Sequence, residues 1–460
     1  MQLNGVMTVI LILYLAVMIG IGILDLLKIK SFGDYAVAGK KQTTFSVTMT
    51  LMATIVGASA TMGLIDTTYT IGFPGIWWLA FGSIGLILQS LLISEKVRGL
   101  NADTLPDAAG IIVGPIAERL IAAIIVISWI GVIAGQLIAM NGIVSYIVGR
   151  NSKGIFLIVS LIVLLYTTFG GQMSVVRTDM IQFILIVVGM IVGCIYLYCV
   201  SGGDSASTFQ NIEFINAGYP PIKLLNQFFV IGGVYFLGPD IMSRNLIAKD
   251  EKAAKKSALI GGILLLLFAF VVILIGMWAR FNVPEGAAGD MKMLMFLIRD
   301  ILPGPVGVVL VFAMMSAILS STDTCLINAS SIFVKDILRK DSVLALRITV
   351  VVIGLIATAF ALSNSGDIIG ILSNAYSVYT PGVIFPLFIA IMCYGKKKLN
   401  VGVWVAAVVI GGVFGVIGAY FPSLLSSLPA SVVSNFSLIG MGFSLVVSLL
   451  SVAAAPAVEK

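Results

Sequence analysis

Uncharged apolar runs long enough to cross a bilayer recur from one end of this chain to the other. Hydrocarbon about 30 Å thick is spanned by roughly 20 helical residues. Thirteen such runs can be drawn over 4–27, 44–70, 74–97, 114–148, 154–171, 178–200, 221–243, 256–280, 304–334, 342–363, 367–394, 399–421 and 432–455. Only 10% of the residues are charged, against about 25% in soluble domains. No stretch between the runs is long enough to bury a core of its own. The expected class is an all-α polytopic membrane protein whose main partner is the lipid bilayer.

Basic residues fix the expected orientation, because cytoplasmic loops accumulate Lys and Arg. With the N-terminus outside and the C-terminus cytoplasmic, 21 of the 27 Lys and Arg fall inside. Only Arg150, Lys153, Lys223, Arg280, Lys292 and Arg299 fall outside. Every basic residue is then assigned to a loop, and none is left for the hydrocarbon centre. The first run lacks the basic lead and small-residue cleavage site of a signal peptide and is read as a retained helix. The net charge of +6 belongs to these loops rather than to a nucleic-acid surface. Histidine is absent, and Cys194, Cys199, Cys325 and Cys393 lack metal-ligand spacing. Histidine-based catalysis is excluded, and sodium is the only metal expected.

Two spans carry breaks. Gly57-Ala58-Ser59-Ala60-Thr61-Met62-Gly63 interrupts the second, and Gly232-Gly233 and Gly238-Pro239 interrupt the seventh. They lie five spans apart, as corresponding members of two five-helix halves would. A broken helix offers bare carbonyls to a cation and bare N–H groups to an anion; tight helix packing is the competing explanation for the glycines. The ninth span places Ala313, Ser316, Ala317, Ser320, Ser321, Thr324 and Asn328 on one stripe at 3.6 residues per turn. Interhelical hydrogen bonding would account for these hydroxyls, but Asp323 at the edge of the stripe is a carboxylate within a span, which points to function.

Five ordered stretches resemble the sodium:solute symporter family: "DYAVAGKK", "RGLNADTLPDAAG", "GGQMSVVRTDMIQ", "YFLGPDIMSRNLIAKD" and "SAILSSTDTCLINASSIFVKDI". They are spread over residues 34–337. The resemblance implies a LeuT-like fold with a 5+5 inverted-repeat core. Residues 1–43 would hold an extra N-terminal helix, 44–200 and 201–394 the two repeats, and 395–460 two further helices. It also implies a sodium site made by the carbonyls of Ala58, Thr61 and Ala317 and the hydroxyls of Ser320 and Ser321. Neutral oxygens suit a hard cation that must also be released. Where some members carry a polar or acidic side chain, this chain has Ala60.

The expected activity is sodium-coupled import of a small organic solute by alternating access. No enzyme activity, organic cofactor or obligate protein partner is expected. Proton or mixed coupling is the rival within transport, a transporter-fold sensor the rival outside it; no soluble domain follows the last span, which argues against the sensor. A membrane enzyme would need facing catalytic groups that the sequence does not supply. Candidate solute contacts flank the breaks: Ser59, Met62, Gln89, Trp129, Gln136, Gln227, Phe228, Tyr235, Asn374 and Tyr379. Asp179, Asp323 and Thr324 could converge on a second cation or a proton, since two carboxylates in low dielectric cannot both stay charged without a cation between them. Asp179 could equally be an acid favoured by a helix N-terminus.

The orientation has a direct check. Loop 244–256, with Arg244, Lys249, Lys252, Lys255 and Lys256, faces the cytoplasm, and loop 201–220, with the acids Asp204 and Glu213, faces outside. A single cysteine at position 252 is therefore expected to resist impermeant thiol reagents applied to intact cells; its labelling from outside would reverse the orientation.

Overall fold

The computed structural model describes residues 2–26, 29–149, 153–202, 212–289, 291–363 and 368–454. Lys28, Arg150, Asp204 and Lys460, used in the orientation argument, lie outside them. The fold is built from helices α1 (Gln2–Leu26), α2 (Thr44–Ile55), α3 (Ser59–Ile71), α4 (Phe73–Leu92), α5 (Pro115–Val148), α6 (Lys153–Cys199) and α7 (Pro221–Leu237). It continues with α8 (Pro239–Leu246), α9 (Glu251–Asn282), α10 (Gly304–Ile332), α11 (Val343–Ser363), α12 (Ile368–Cys393), α13 (Val401–Tyr420) and α14 (Phe436–Ala453). A short helix over 293–301 precedes α10 and buries Met293, Leu294, Met295 and Leu297.

Among the described residues, eleven helical segments are long and apolar enough to cross a membrane, or twelve when α2 and α3 count as one bent span. The apolar runs of the sequence predict thirteen. The difference lies in α6, read there as two spans. Its 47 residues would reach about 70 Å at 1.5 Å per residue, more than twice the thickness of hydrocarbon. The continuous run is interrupted at Gly171, whose φ of 55° and ψ of −169° are not helical. Only glycine adopts that conformation readily, and a Cβ there would stand 2.9 Å from the Tyr35 ring. Tyr35 in turn donates to the carbonyls of Thr167 and Thr168 on the approach to the kink.

α2 and α3 meet at a bend of 62°. α7 stops at Leu237 because Gly238 is extended (φ −68°, ψ 145°) and Pro239, first residue of α8, has no N–H to continue the ladder. α10 occupies the centre of the bundle: every residue from Leu310 to Ile332 is buried. It packs against α5 and α6, with α2 and α8 alongside. The outward faces of α6 and α9 leave Ile184, Val188, Ile195, Leu267 and Phe270 exposed, which suits lipid rather than water.

The Gly171 kink yields a testable expectation. Gly171→Ala forces a side chain into strained backbone and costs about 1–3 kcal/mol, seen as a lower unfolding midpoint in detergent. Gly20→Ala, where a Cβ meets nothing within 4 Å, leaves the midpoint unchanged.

Candidate functional site

The bend between α2 and α3 follows from the local sequence. In a regular helix each N–H bonds to the carbonyl four residues back, so Gly57 and Ala58 would satisfy the carbonyls of Ala53 and Thr54. Instead the Gly57 N–H turns to the carbonyl of Ile55 at 2.9 Å. The Ala58 N–H leaves the helix for the side-chain oxygen of Gln136, on α5, at 3.2 Å. Two carbonyls are thereby released. Gly57 also lets α10 approach: a Cβ there would lie 2.5 Å from the Ser321 hydroxyl.

Each released carbonyl is met by a serine of α10. Ser320 donates to Ala53 at 2.6 Å and Ser321 to Thr54 at 2.7 Å. Both hydroxyls also lie within reach of the Ala317 carbonyl, at 3.2 and 3.0 Å. The structure thus gathers Ala317, Ser320 and Ser321 against the broken helix. No contact among the described residues links these hydroxyls to the carbonyls of Ala58 or Thr61. The Ala58 carbonyl accepts from the Gly63 N–H at 3.0 Å in a widened turn, and the Thr61 hydroxyl donates to the Gly57 carbonyl at 2.8 Å.

The rest of the α10 stripe bonds across to other helices. Ser316 pairs with Tyr14 of α1 at 3.0 Å, and Asn328 donates to Ser243 of α8 at 3.1 Å. Thr324 accepts a short hydrogen bond from Arg244. The same guanidinium donates to Thr54 at 2.6 Å and contacts the Asp179 carboxylate at 3.2 Å, while Thr50 donates to the same Asp179 oxygen. Arg244 is fully buried, as are Asp179 and Asp323.

This corrects the assignment of every basic residue to a loop. Arg244 belongs to the membrane interior because the chain resumes as α8 after the Pro239 break and runs to Leu246; ending the span at 243 had put Arg244 outside it. Asp323 turns away from Arg244 and accepts from the Tyr166 hydroxyl at 2.8 Å. The two carboxylates share no direct bond among those described.

Next to Ser320 lies a small cavity lined by Thr54, Ser59, Gln136, Tyr235, Asp240, Ser321 and Tyr376, with Cys325 and aliphatic side chains completing its wall. Of the expected solute contacts, Ser59, Gln136 and Tyr235 are in this lining. Trp129 stands behind it, edge-on to Tyr379 at 5.2 Å between ring centroids, and Tyr379 donates to the Leu237 carbonyl at 2.5 Å. Met62 is buried in the widened turn after the bend. Gln89 is engaged with Met242, at 3.6 Å from its sulfur. Phe228 packs edge-on to Phe81 and Phe229 and lines a separate apolar groove with Gly85 and Phe388. Gln227 is half-buried and Asn374 exposed, and neither lines the central cavity.

Asp240, Arg244, Thr54 and Tyr376 were not among the expected site residues. The signal for the first two was present: an acid and a base four residues apart, immediately after a helix-breaking Gly-Pro, share one face of the new helix.

The sodium:solute symporter family model matches residues 35–411. The Haemophilus influenzae sodium/pantothenate symporter is 27% identical over 350 residues, covering 71% of each chain. The Escherichia coli sodium/proline symporter is 25% identical over 487 residues, covering 94% of this chain and 95% of the relative. A solved Na+-coupled sialic acid symporter in a substrate-bound outward-open state superposes with a TM-score of 0.80. It does so at 17% identity, over 99% of this chain and 98% of that one. At that identity the likeness concerns the fold.

The Arg244–Asp179 pair has a measurable signature. Removing one partner of a buried ion pair strands the other at a cost of about 3–5 kcal/mol. Arg244→Met and Asp179→Leu are each expected to lower stability strongly in chemical denaturation. The double variant is expected to lose much less than the sum, and strict additivity would show that the two groups do not act as a pair.

Proposed function

The chain belongs to the sodium:solute symporter family, and from that premise we propose that its driving ion binds where the bend between α2 and α3 meets α10. The protein is a multi-pass membrane transporter of LeuT-like fold, a sodium-coupled symporter rather than an enzyme. The observation that carries the proposed site is the pairing of Ser320 and Ser321 with the two carbonyls released by the bend. A hydroxyl that gives its hydrogen to a carbonyl keeps lone pairs free. Two such oxygens side by side, with the Ala317 carbonyl below them, can accept a cation. The carbonyls of Ala58 and Thr61 on the far side of the bend complete the proposed ligand set. All five are neutral oxygens, so binding can be reversed as the two helices separate.

The energetics suit uptake. An inward potential of 100 mV is worth about 2.3 kcal/mol per charge, which supports roughly 50-fold accumulation from one sodium ion. The proposed orientation has the N-terminus outside and the C-terminus in the cytoplasm, in the plasma membrane. The repeats over 44–200 and 201–394 would move against each other around the central cavity. Relatives named for proline and pantothenate point to a small organic solute here too, facing Ser59, Gln136 and Tyr235.

Arg244 already brings a fixed cation to Asp179 and Thr324. We therefore assign these two to holding α8 against α2, α6 and α10, Asp323 to its contact with Tyr166 of α6, and coupling to a single sodium.

Sodium titration of the purified protein tests the ion site without knowledge of the solute. Sodium, but not potassium, is expected to raise the unfolding midpoint. Ser320→Ala and Ser321→Ala are each expected to raise the half-maximal sodium concentration about tenfold, equivalent to about 1.4 kcal/mol for one lost oxygen ligand. Unchanged sodium dependence in the double variant would remove the assignment. Transport driven equally well by a proton gradient in sodium-free medium would replace sodium by protons.

A further inference from the structure

Asp240 is the one carboxylate in the lining of the central cavity. It is the second residue of α8, only 8% exposed, and its Oδ1 is buried without a hydrogen-bond partner among the described residues. Arg244, one turn further on, does not discharge it. That guanidinium donates to Thr54 and Thr324 and contacts Asp179. A buried carboxylate oxygen without a hydrogen-bond partner is costly unless a cation arrives.

The chemistry of the wall says which cation. Sodium needs several oxygens around it, and the bend offers these at Ser320 and Ser321. Around Asp240 the lining adds Tyr235, Tyr376, Val132, Val234 and Ile241 to the oxygens of Thr54, Ser59, Gln136 and Ser321. Aromatic faces and aliphatic groups cannot replace the hydration shell of a small hard ion, but they accommodate a weakly hydrated organic cation. Trp129 and Tyr379 back the same aromatic wall. Ser59 and Gln136 add neutral polar contacts to the same lining.

We infer that Asp240 anchors the positively charged nitrogen of the transported solute, a protonated or quaternary amine enclosed by Tyr235 and Tyr376. The inference rests on the reading of the chain as a sodium symporter and narrows its solute class. An anionic solute without an amine would instead bring a second carboxylate against Asp240.

Thermal unfolding of the purified full-length protein, with choline, L-proline or pantothenate added singly in saturating sodium, tests this. Choline or proline is expected to raise the midpoint beyond the value in sodium alone, and pantothenate is not. In Asp240→Asn the half-saturating concentration of the nitrogen-bearing probe is expected to rise roughly tenfold or more, while Asp240→Glu recovers part of the loss. The shift produced by sodium alone, retained in both variants, shows that they are folded. Stabilisation by pantothenate, no response to either nitrogen-bearing probe, or wild-type affinity in Asp240→Asn would each overturn the inference. The failure of sodium alone to stabilise the wild type would instead strike the ion site at the bend, so the two readings fail separately.

Discussion

Two backbone carbonyls, those of Ala53 and Thr54, lose their helical donors where the chain bends at Gly57, and much of the central architecture follows from satisfying them. In a hydrocarbon environment no water is at hand to do so. The serines of α10 must therefore sit opposite the bend. The close approach of α10 requires the missing side chain at Gly57, and the displaced Ala58 N–H requires Gln136 of α5. One local defect in a helix thus fixes the mutual placement of α2, α5 and α10. The same requirement makes the place suitable for an ion: oxygen atoms gathered to rescue each other's hydrogen bonds also present lone pairs at a point where two helices meet.

The second break works differently. Pro239 ends α7 and restarts the chain as α8, and the new helix carries Asp240 and Arg244 inward. Arg244 ties α8 to Thr54 on α2, Asp179 on α6 and Thr324 on α10 in one cluster. A buried guanidinium is expensive by itself, and the cluster is tolerable because most of its donors find oxygens. The two broken spans are consequently joined twice, once through α10 and once directly between Arg244 and Thr54. Because the same guanidinium holds Thr54 on α2 and Thr324 on α10, a movement that separates either helix from α8 has to break charge-assisted hydrogen bonds.

Much was legible in the sequence by itself. The length and repetition of uncharged runs determined an all-helical membrane fold, because only a helix can bury twenty apolar residues and satisfy its own backbone in lipid. The positions of both breaks were readable from Gly57 and from Gly238-Pro239, whose conformational properties are intrinsic to those residues. The polar face of α10 followed from the spacing of Ser316, Ser320, Ser321, Thr324 and Asn328. Only tertiary structure decided what each of these groups meets. The partners of Ser320 and Ser321 are backbone carbonyls some 267 residues away in the chain, and every residue has a carbonyl, so no sequence pattern singles out Ala53 and Thr54. Arg244 was misplaced because charge near the end of an apolar run reads as a loop. Its burial depends on α8 continuing inward after the break and on Asp179 and Thr324 arriving from two other helices to receive it.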